Sequence, residues 1–464
     1  MRAQRIAVIG GVAAGPAAAV QARRTDPDAE IVMFEQGSNI SYSACEMLML
    51  VSGEIDDPEQ LIHRSPKDFQ RERGIEVRAE TRVDRIDPRA GKLVCTSGDT
   101  GVTSEEDFDK FILATGARAS VPDIDGADAE NVFVLRRLGD AIELRGFIST
   151  ETIHHAVVVG AGFVGLEVVE ALVKNGIRVS LLEPGSGPMH AHLHEELSTL
   201  VGRLLEDHGV VVRLEGLIGL AVGQSGRVSV VRTSAGEQIG CQLVVLAIGT
   251  TPNTKLGAAA GIRLGDTGAY LVDDRMRTNI PNVWACGDCV EVHRLVDGQK
   301  VIYPQSPTAF RTGRVAGTNA ARRGAYGAAT FPGIVGAQAL RLFEQEIAFV
   351  GITEGEARHA GFSAAAVTIT HLTRSSLDPG SSPITVRLVF EMARGRLLGA
   401  QLVGGTGTAL RANILLPLIR SRGTISDLYD LDLLYAPPFS PRMDPLLIAA
   451  RKAMRLREDT RRRI

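Results

Sequence analysis

Two glycine-rich turns carry the clearest chemistry in this 464-residue chain. One reads Gly160-Ala161-Gly162-Phe163-Val164-Gly165, and Glu183 follows it after a further apolar run. Two of these glycines permit a tight turn and let backbone N–H groups approach a pyrophosphate at a helix N-terminus. The third lets the helix pack closely on the preceding strand. An acid at this spacing accepts hydrogen bonds from a ribose 2′-hydroxyl, and its charge repels a 2′-phosphate. No arginine follows within Pro184–Pro188, so the pattern predicts NADH in preference to NADPH. The other turn reads Gly10-Gly11-Val12-Ala13-Ala14-Gly15, with valine at the middle glycine position and Glu35 correctly spaced. Two such turns imply two dinucleotides, and a flavin with a nicotinamide is the economical pair.

Sulfur is the second candidate chemistry. The five cysteines are Cys45, Cys95, Cys241, Cys286 and Cys289. Their odd number and wide spread argue against a disulfide framework and predict a reducing cytoplasm. Cys45 falls in a loop just past Glu35, where it can face a flavin, and a nearby helix N-terminus is expected to lower its pKa. From the residues alone, a buried structural thiol is the more ordinary reading. Cys286 and Cys289 form a CxxC, as a redox pair or half a zinc site would, but no second CxxC or histidine pair accompanies them. Cys95 and Cys241 lie in strand-like runs and read as core. His190, His192 and His194 alternate as HAHLH. With no cysteine or acid ligand set nearby, they are expected on an exposed loop, with no metal.

The elements that must hold these groups repeat one design. Residues 5–10 read as a buried strand, followed by an alanine-rich helix to about Arg24 and a strand Ile31–Phe34 ending on Glu35. Residues 156–160, a helix to about Asn175, and a strand Val179–Leu182 ending on Glu183 repeat it. Residues 75–95 suggest hairpin strands. Segments 108–116, 241–249 and 278–289 read as strands closing on glycine turns, and a helix is expected near 307–322. From about 330 the pattern changes to strands at 347–352, 365–371, 384–391 and 397–403 with helices at 408–422 and 443–455. A boundary near 328 separates the two regimes.

The totals agree with several domains in an α/β chain. A length of 464 residues exceeds one hydrophobic core, and the 50 glycines fall largely between apolar runs. Aromatic residues at 5% and a formal net charge of −3 argue against a nucleic-acid surface. No run approaches the roughly 20 apolar residues of a membrane span. The N-terminal MRAQRIAVIGG is too short in its apolar part for a signal peptide and reads as a first strand. The basic cluster Arg451 to Arg463 reads as a solvated tail.

Taken in order, the N-terminal turn, Ala114-Thr115-Gly116, GAGFVGLE at 160–167, IGTTPN at 248–253 and ACGD at 285–288 carry a family resemblance. Over essentially the whole chain they resemble the FAD- and NAD(P)-dependent pyridine nucleotide–disulfide oxidoreductases. The resemblance implies an α/β fold of two Rossmann-type dinucleotide-binding domains, for FAD and NAD, plus a C-terminal α+β dimerisation domain. Residues 1–118 would begin the FAD-binding domain, 119–246 bind NAD, 247–328 complete the FAD-binding domain, and 329–464 form a homodimer. Cofactor contacts would come from Gly10, Val12, Ala14, Gly15, Glu35, Gln36, Thr115, Gly116, Gly249, Gly287 and Asp288, and from Gly160, Gly162, Phe163, Val164, Gly165, Glu167 and Glu183. Glu35 matches the acid on the flavin's adenosine ribose, Asp288 the ribityl-phosphate ligand, and Phe163 an aromatic gate over the nicotinamide site.

Within the family, Ser41-Tyr42-Ser43-Ala44-Cys45-Glu46 is similar to the single-cysteine branch, which lacks the CxxxxC pair. That branch holds coenzyme A-disulfide reductases, persulfide and polysulfide reductases, and NADH oxidases and peroxidases. The segment Tyr435-Ala436-Pro437-Pro438-Phe439-Ser440 matches its YAPPF motif, whose tyrosine reaches the partner subunit's active site. The resemblance makes Cys45 and Tyr435 catalytic, and Gln21, Arg24 and Ser41 the contacts to a thiol, disulfide or sulfane-sulfur substrate. Departures are Glu46, Leu48 and Met49 after the cysteine, Leu377-Asp378-Pro379-Gly380 in place of a YYPG loop, and Met443 in place of a lysine. The expected activity is NADH-dependent reduction of such substrates. Alternatives are an NADH oxidase or peroxidase using a sulfenic acid, a cysteine-independent electron-transfer reductase, and a non-catalytic redox sensor.

Overall fold

The first glycine turn sits at the carboxyl edge of a five-stranded parallel sheet. In the computed structural model, which describes residues 3–324 and 327–463, its strand order is Val283–Ala285, Lys110–Leu113, Arg5–Ile9, Glu30–Phe34 and Glu76–Arg78. Met1 and Arg2, ahead of the expected first strand at 5–10, lie outside the described residues. Helices cover the sheet, so Ile6, Ala7, Val8, Val32 and Ile112 are fully buried, as an all-parallel sheet requires. In register, Ile9 lies opposite Phe34 and Leu113. Gly10, Glu35 and Ala114 therefore leave the sheet side by side. The alanines of the Ala14–Thr25 helix have a packing reason. A Cβ on Gly313 or Gly317 of the Ser306–Ala321 helix would come within 2.3 Å of Ala14 O or 2.1 Å of Ala18 O. Only small residues allow the two helices to cross this closely, and the first faces the cavity described below.

The second turn repeats the arrangement. Its parallel sheet runs Val211–Arg213, Arg178–Leu182, His155–Val159, Leu243–Leu246 and Val132–Val134. A three-stranded antiparallel sheet over 217–240 shares its apolar core. The chain leaves the first unit through Ala117–Ala119 and returns through Thr250–Pro252, and these two segments pair antiparallel. Strand Val283–Ala285 then rejoins the first sheet, so that sheet is assembled from both sides of the second unit.

A third, antiparallel sheet of five strands begins at Ala337, with Thr408–Arg420 and Pro445–Arg463 packed on it. Its first strand, Ala337–Leu342, adds to the four expected. The C-terminal cluster corrects the expectation of a solvated tail, because the helix runs on to Arg463. Leu446, Ala449, Ala450 and Ala453 share its buried face at helical spacing. Lys452 donates to Thr368 O, and Arg457 to Met392 O and Ala393 O, which ties the basic face to the sheet. A run of arginines conceals a four-residue apolar stripe made mostly of alanine. Among the described residues no helix is long and apolar enough to cross a membrane.

Candidate active site and dinucleotide cradles

One cavity of about 1320 Å³ collects most of the residues predicted for a flavin and a sulfur substrate. Its wall includes Gly10, Val12, Ala14, Glu35, Gln36, Thr115, Gly116, Gly287 and Asp288, and also Gln21, Arg24, Ser41 and Cys45. Gly15 packs behind this wall on the strand. Glu35 is held by two backbone donors, Gly11 N–H at 2.7 Å and Gly37 N–H at 2.9 Å. Gly10 has φ +112°, and a Cβ there would lie 2.1 Å from Ala114 O. The backbone at this turn is therefore open only to glycine. A cavity of this volume, a turn open only to glycine at the end of a parallel strand, and a carboxylate fixed at the end of the neighbouring strand fit a dinucleotide such as FAD.

Asp288 lies in the short turn Gly287–Cys289, anchored by Gly287 N–H donating to Thr312 Oγ1 at 3.1 Å. Arg136 forms an ion pair with Asp288 and donates to Ala117 O at 3.0 Å. Sequence reading missed Arg136, which shares no motif with Asp288 and lies 152 positions away. It also missed Ser43 and His63. Their side chains lie 2.9 Å apart in the cavity wall, where Tyr42 bridges to Ile62. Cys286 and Cys289 are free and fully buried, with Cys289 Sγ donating to Cys286 O. Burial pushes both thiols up in pKa. Cys95 and Cys241 are buried core residues.

Cys45 opens to the cavity on the single turn Ala44–Glu46. Its expected activation by a helix N-terminus is corrected here. The following helix, Met47–Ser52, has only six residues, and the thiol's pKa is raised rather than lowered. Loss of hydration is the main cause. The carboxylates of Glu167 and Asp288 add to it, and Arg136 opposes them. Glu167 is half-buried and is itself pushed up to about 7, by burial first and then by Glu170. A neighbouring anion disfavours a thiolate, so Glu167→Gln should move Cys45 toward the thiolate at lower pH. Iodoacetamide alkylation of flavin-depleted protein should show a lower pH midpoint in Glu167→Gln than in the parent. Coincident midpoints would remove Glu167 from the thiol's field.

The second cradle has the same internal geometry. Glu183 accepts from Ala161 N–H at 2.8 Å and from Gly185 N–H at 2.9 Å. Gly160 has φ +101°, with a Cβ there 2.4 Å from Ala247 O. Gly162 caps the Phe163–Lys174 helix, with open space where a Cβ would stand, and Gly165 packs behind it on Gly160. Val164 is exposed at the same helix start. Both the first and second turns lie where strand order reverses, the usual crevice for a dinucleotide in such sheets. Gly249, with φ +107°, closes the loop after Leu246 and accepts from Ser120 N–H. Phe163 stands 5.7 Å from the His192 ring and 5.8 Å from Phe349, and the latter two stack at 4.4 Å. The expectation of three exposed loop histidines holds for His190 and His194. His192 is instead half-buried in this aromatic cluster, and burial lowers its pKa.

Tyr435 is not brought to the cavity of its own chain. It is exposed beside Leu434 and Phe439, which are 94% and 76% exposed. Apolar side chains this open, on one segment, form a surface suited to covering by another molecule.

Comparison with known proteins gives a consistent set of relatives. The family model for pyridine nucleotide-disulphide oxidoreductases matches residues 4–313, and the model for their dimerisation domain matches residues 338–446. A CoA-dependent NAD(P)H sulfur oxidoreductase of Pyrococcus abyssi is 32% identical over 446 residues, spanning 96% of this chain and 97% of that protein. The NAD-dependent persulfide reductase from A. fulgidus superposes with a TM-score of 0.94 at 33% identity, over 98% of this chain and 84% of that one. A water-forming NADH oxidase from Lactobacillus brevis superposes with a TM-score of 0.92 at 26% identity, over 99% and 100%.

Proposed function

This chain belongs to the pyridine nucleotide–disulphide oxidoreductase family, and from that premise we propose an FAD-containing, NAD(P)H-dependent reductase of disulfide, persulfide or polysulfide substrates. One observation carries the reading. A solvent-open thiol, Cys45, shares a single cavity wall with the Glu35 and Asp288 cradle and with Gln21, Arg24 and Ser41. The Pyrococcus abyssi and A. fulgidus relatives are named for sulfur and persulfide reduction, in support.

Glu35 would hold the adenosine ribose, the glycine turn the pyrophosphate, and Asp288, poised by Arg136, the ribityl-phosphate region. When bound, the FAD and nicotinamide pair supplies the two electrons that return an oxidised Cys45 to the thiol. Cys45, as thiolate, attacks one sulfur of the substrate. The S–S bond breaks, Cys45 is left in a mixed disulfide, and the displaced sulfur departs with a proton as a thiol or hydrosulfide. Gln21, Arg24 and Ser41 would orient the substrate along the cavity. A substrate of coenzyme A type would find only part of the branch's usual handle, given Leu377–Gly380 and Met443.

NADH is the proposed nicotinamide partner, because Glu183 repels a 2′-phosphate. In stopped-flow reduction of the bound flavin, NADH should exceed NADPH in kcat/KM by roughly tenfold or more. Glu183→Ala should narrow the gap, and equal use of both by the parent would refute the preference. Steady-state NADH oxidation against coenzyme A disulfide, polysulfide, peroxide, oxygen and ferredoxin tests the substrate class. The Lactobacillus brevis relative supports one second reading, an NADH oxidase using Cys45 as a sulfenic acid. Turnover with oxygen alone would select it.

The working unit is proposed to be a homodimer through 330–464, with Tyr435 reaching the partner subunit's cavity to orient the substrate or donate a proton. The dimerisation-domain match and the exposed Leu434-Tyr435 and Phe439 support this. The protein should sediment as a dimer, and Tyr435→Phe should lower turnover on the order of a hundredfold. A fully active monomer would remove both claims.

A further inference from the structure

Three aromatic rings from separate segments meet beside the second glycine turn. Phe163 is the first residue of the Phe163–Lys174 helix, one position past the capping Gly162. A pyrophosphate on that helix start puts the nicotinamide half of a dinucleotide beside this ring. The ring stands off the cavity that holds Cys45 and Asp288, and instead meets the His192 and Phe349 rings at 5.7 and 5.8 Å. Those two rings are stacked, 4.4 Å apart and 10° from parallel. Both are anchored. The His192 loop is tied to the glycine turn, because Met189 N–H donates to Ala161 O and His192 N–H to Met189 O. It is tied to the third sheet as well, because His194 N–H donates to Gln401 Oε1 at 2.7 Å. Gln401 is buried, and Phe349 lies directly opposite it in strand register. One cross-strand pair therefore grips the loop with one member and supplies the stacked ring with the other.

Taking Gly160–Glu183 as the nicotinamide cradle, we infer that His192 and Phe349 are positioning residues for Phe163, a rest that keeps its ring to the side of the nicotinamide site. Rings at these separations attract one another, so the rest favours one rotamer of Phe163. Without it the side chain swings into the space that the nicotinamide ring must fill, and binding has to displace it. The adenosine half, at Glu183 and the glycines, does not meet this ring. The third sheet thus acts on nicotinamide access through the single strand Gln345–Gly351, although it contributes no residue to either glycine turn.

Equilibrium binding of NAD+ and of ADP-ribose, which lacks the nicotinamide, to the flavin-loaded enzyme tests this by calorimetry without turnover. Phe349→Ala should weaken NAD+ by roughly threefold to tenfold and leave ADP-ribose within about twofold of the parent. His192→Leu should do the same, and it guards against damage to the third sheet in the alanine variant. Adding Phe163→Ala to Phe349→Ala should restore NAD+ affinity to that of Phe163→Ala alone, because no ring is left to stray. Unchanged NAD+ affinity in both rest variants, equal losses for the two ligands, or a loss that the double variant keeps would each overturn the inference. Gly160→Ala separates the underlying reading. It should weaken both ligands together, and undiminished ADP-ribose binding there would overturn the cradle assignment and this inference with it.

Discussion

Cys45→Ser should lose disulfide and persulfide reduction by on the order of a thousandfold or more, while NADH still bleaches the bound flavin. Serine keeps the size of the side chain, but its hydroxyl stays protonated, so no covalent bond to substrate sulfur forms. Cys45 shares the cavity wall with the first cradle but is part of neither glycine turn, at Gly10–Glu35 or at Gly160–Glu183. Because Cys45 is exposed, the exchange should change stability by no more than about 0.5 kcal/mol, which separates lost chemistry from lost fold. A long-wavelength absorption band in the two-electron-reduced enzyme, from a thiolate against the flavin, should vanish in the same variant. The alternatives divide here. An oxidase would begin to release hydrogen peroxide, and an electron-transfer reductase would keep its activity. Undiminished turnover of thiol substrates would exclude Cys45 as the nucleophile.

The two glycine turns predict a crossed pair of failures of comparable size. Gly10→Ala and Gly160→Ala each force a side chain into the left-handed region, at φ +112° and φ +101°. Each also drives a Cβ against a backbone carbonyl, 2.1 Å from Ala114 O and 2.4 Å from Ala247 O. Backbone held one residue past the end of a paired strand, as at Ala114 and Ala247, cannot swing aside as a flexible side chain can. The strain and displacement should cost about 2–4 kcal/mol at the turn, enough to weaken a bound dinucleotide about a hundredfold. Gly10→Ala should purify with little flavin. Gly160→Ala should keep its flavin and require about a hundredfold more NADH to reduce it. Flavin content by absorbance, with NADH titration of the reconstituted proteins, reads both. If Gly10→Ala kept its flavin and lost the NADH response, the two cradles would have been assigned the wrong way round.

The strand–turn–helix units were legible because their rules are local. Apolar runs of five or six residues, a glycine where φ turns positive and an acid one strand later all lie within about 25 positions of each other. Backbone sterics connect them whatever the rest of the chain does. The strands at 5–9, 30–34, 155–159 and 178–182 fall within one residue of their expected places for that reason. The C-terminal helix was cut short in the reading because its last turns, after 455, are crowded with charge. A local hydropathy pattern registers that charge and misses the bonds from Arg457 to Met392 O and Ala393 O that hold these turns against the sheet.

The site divides along the same line. Gly10, Gly160, Glu35 and Glu183 could be picked out by residue type and spacing, whereas Cys45 and Asp288 stood out only through the family resemblance. What surrounds them could not. Arg136 meets Asp288, His63 meets Ser43, and Phe349 of the third sheet reaches the His192 loop and Phe163, across separations no motif spans. The state of Cys45 shows the consequence: a helix start just after it argued for a lowered pKa, while partial loss of hydration on the cavity wall and the fields of Glu167 and Asp288 raise it. Residue order by itself determined which groups are available and how the backbone turns around them. Only the tertiary structure decided their charge, their partners and which cavity they share. Hydration and electrostatic fields depend on distance through space, and folding sets that distance independently of separation along the chain.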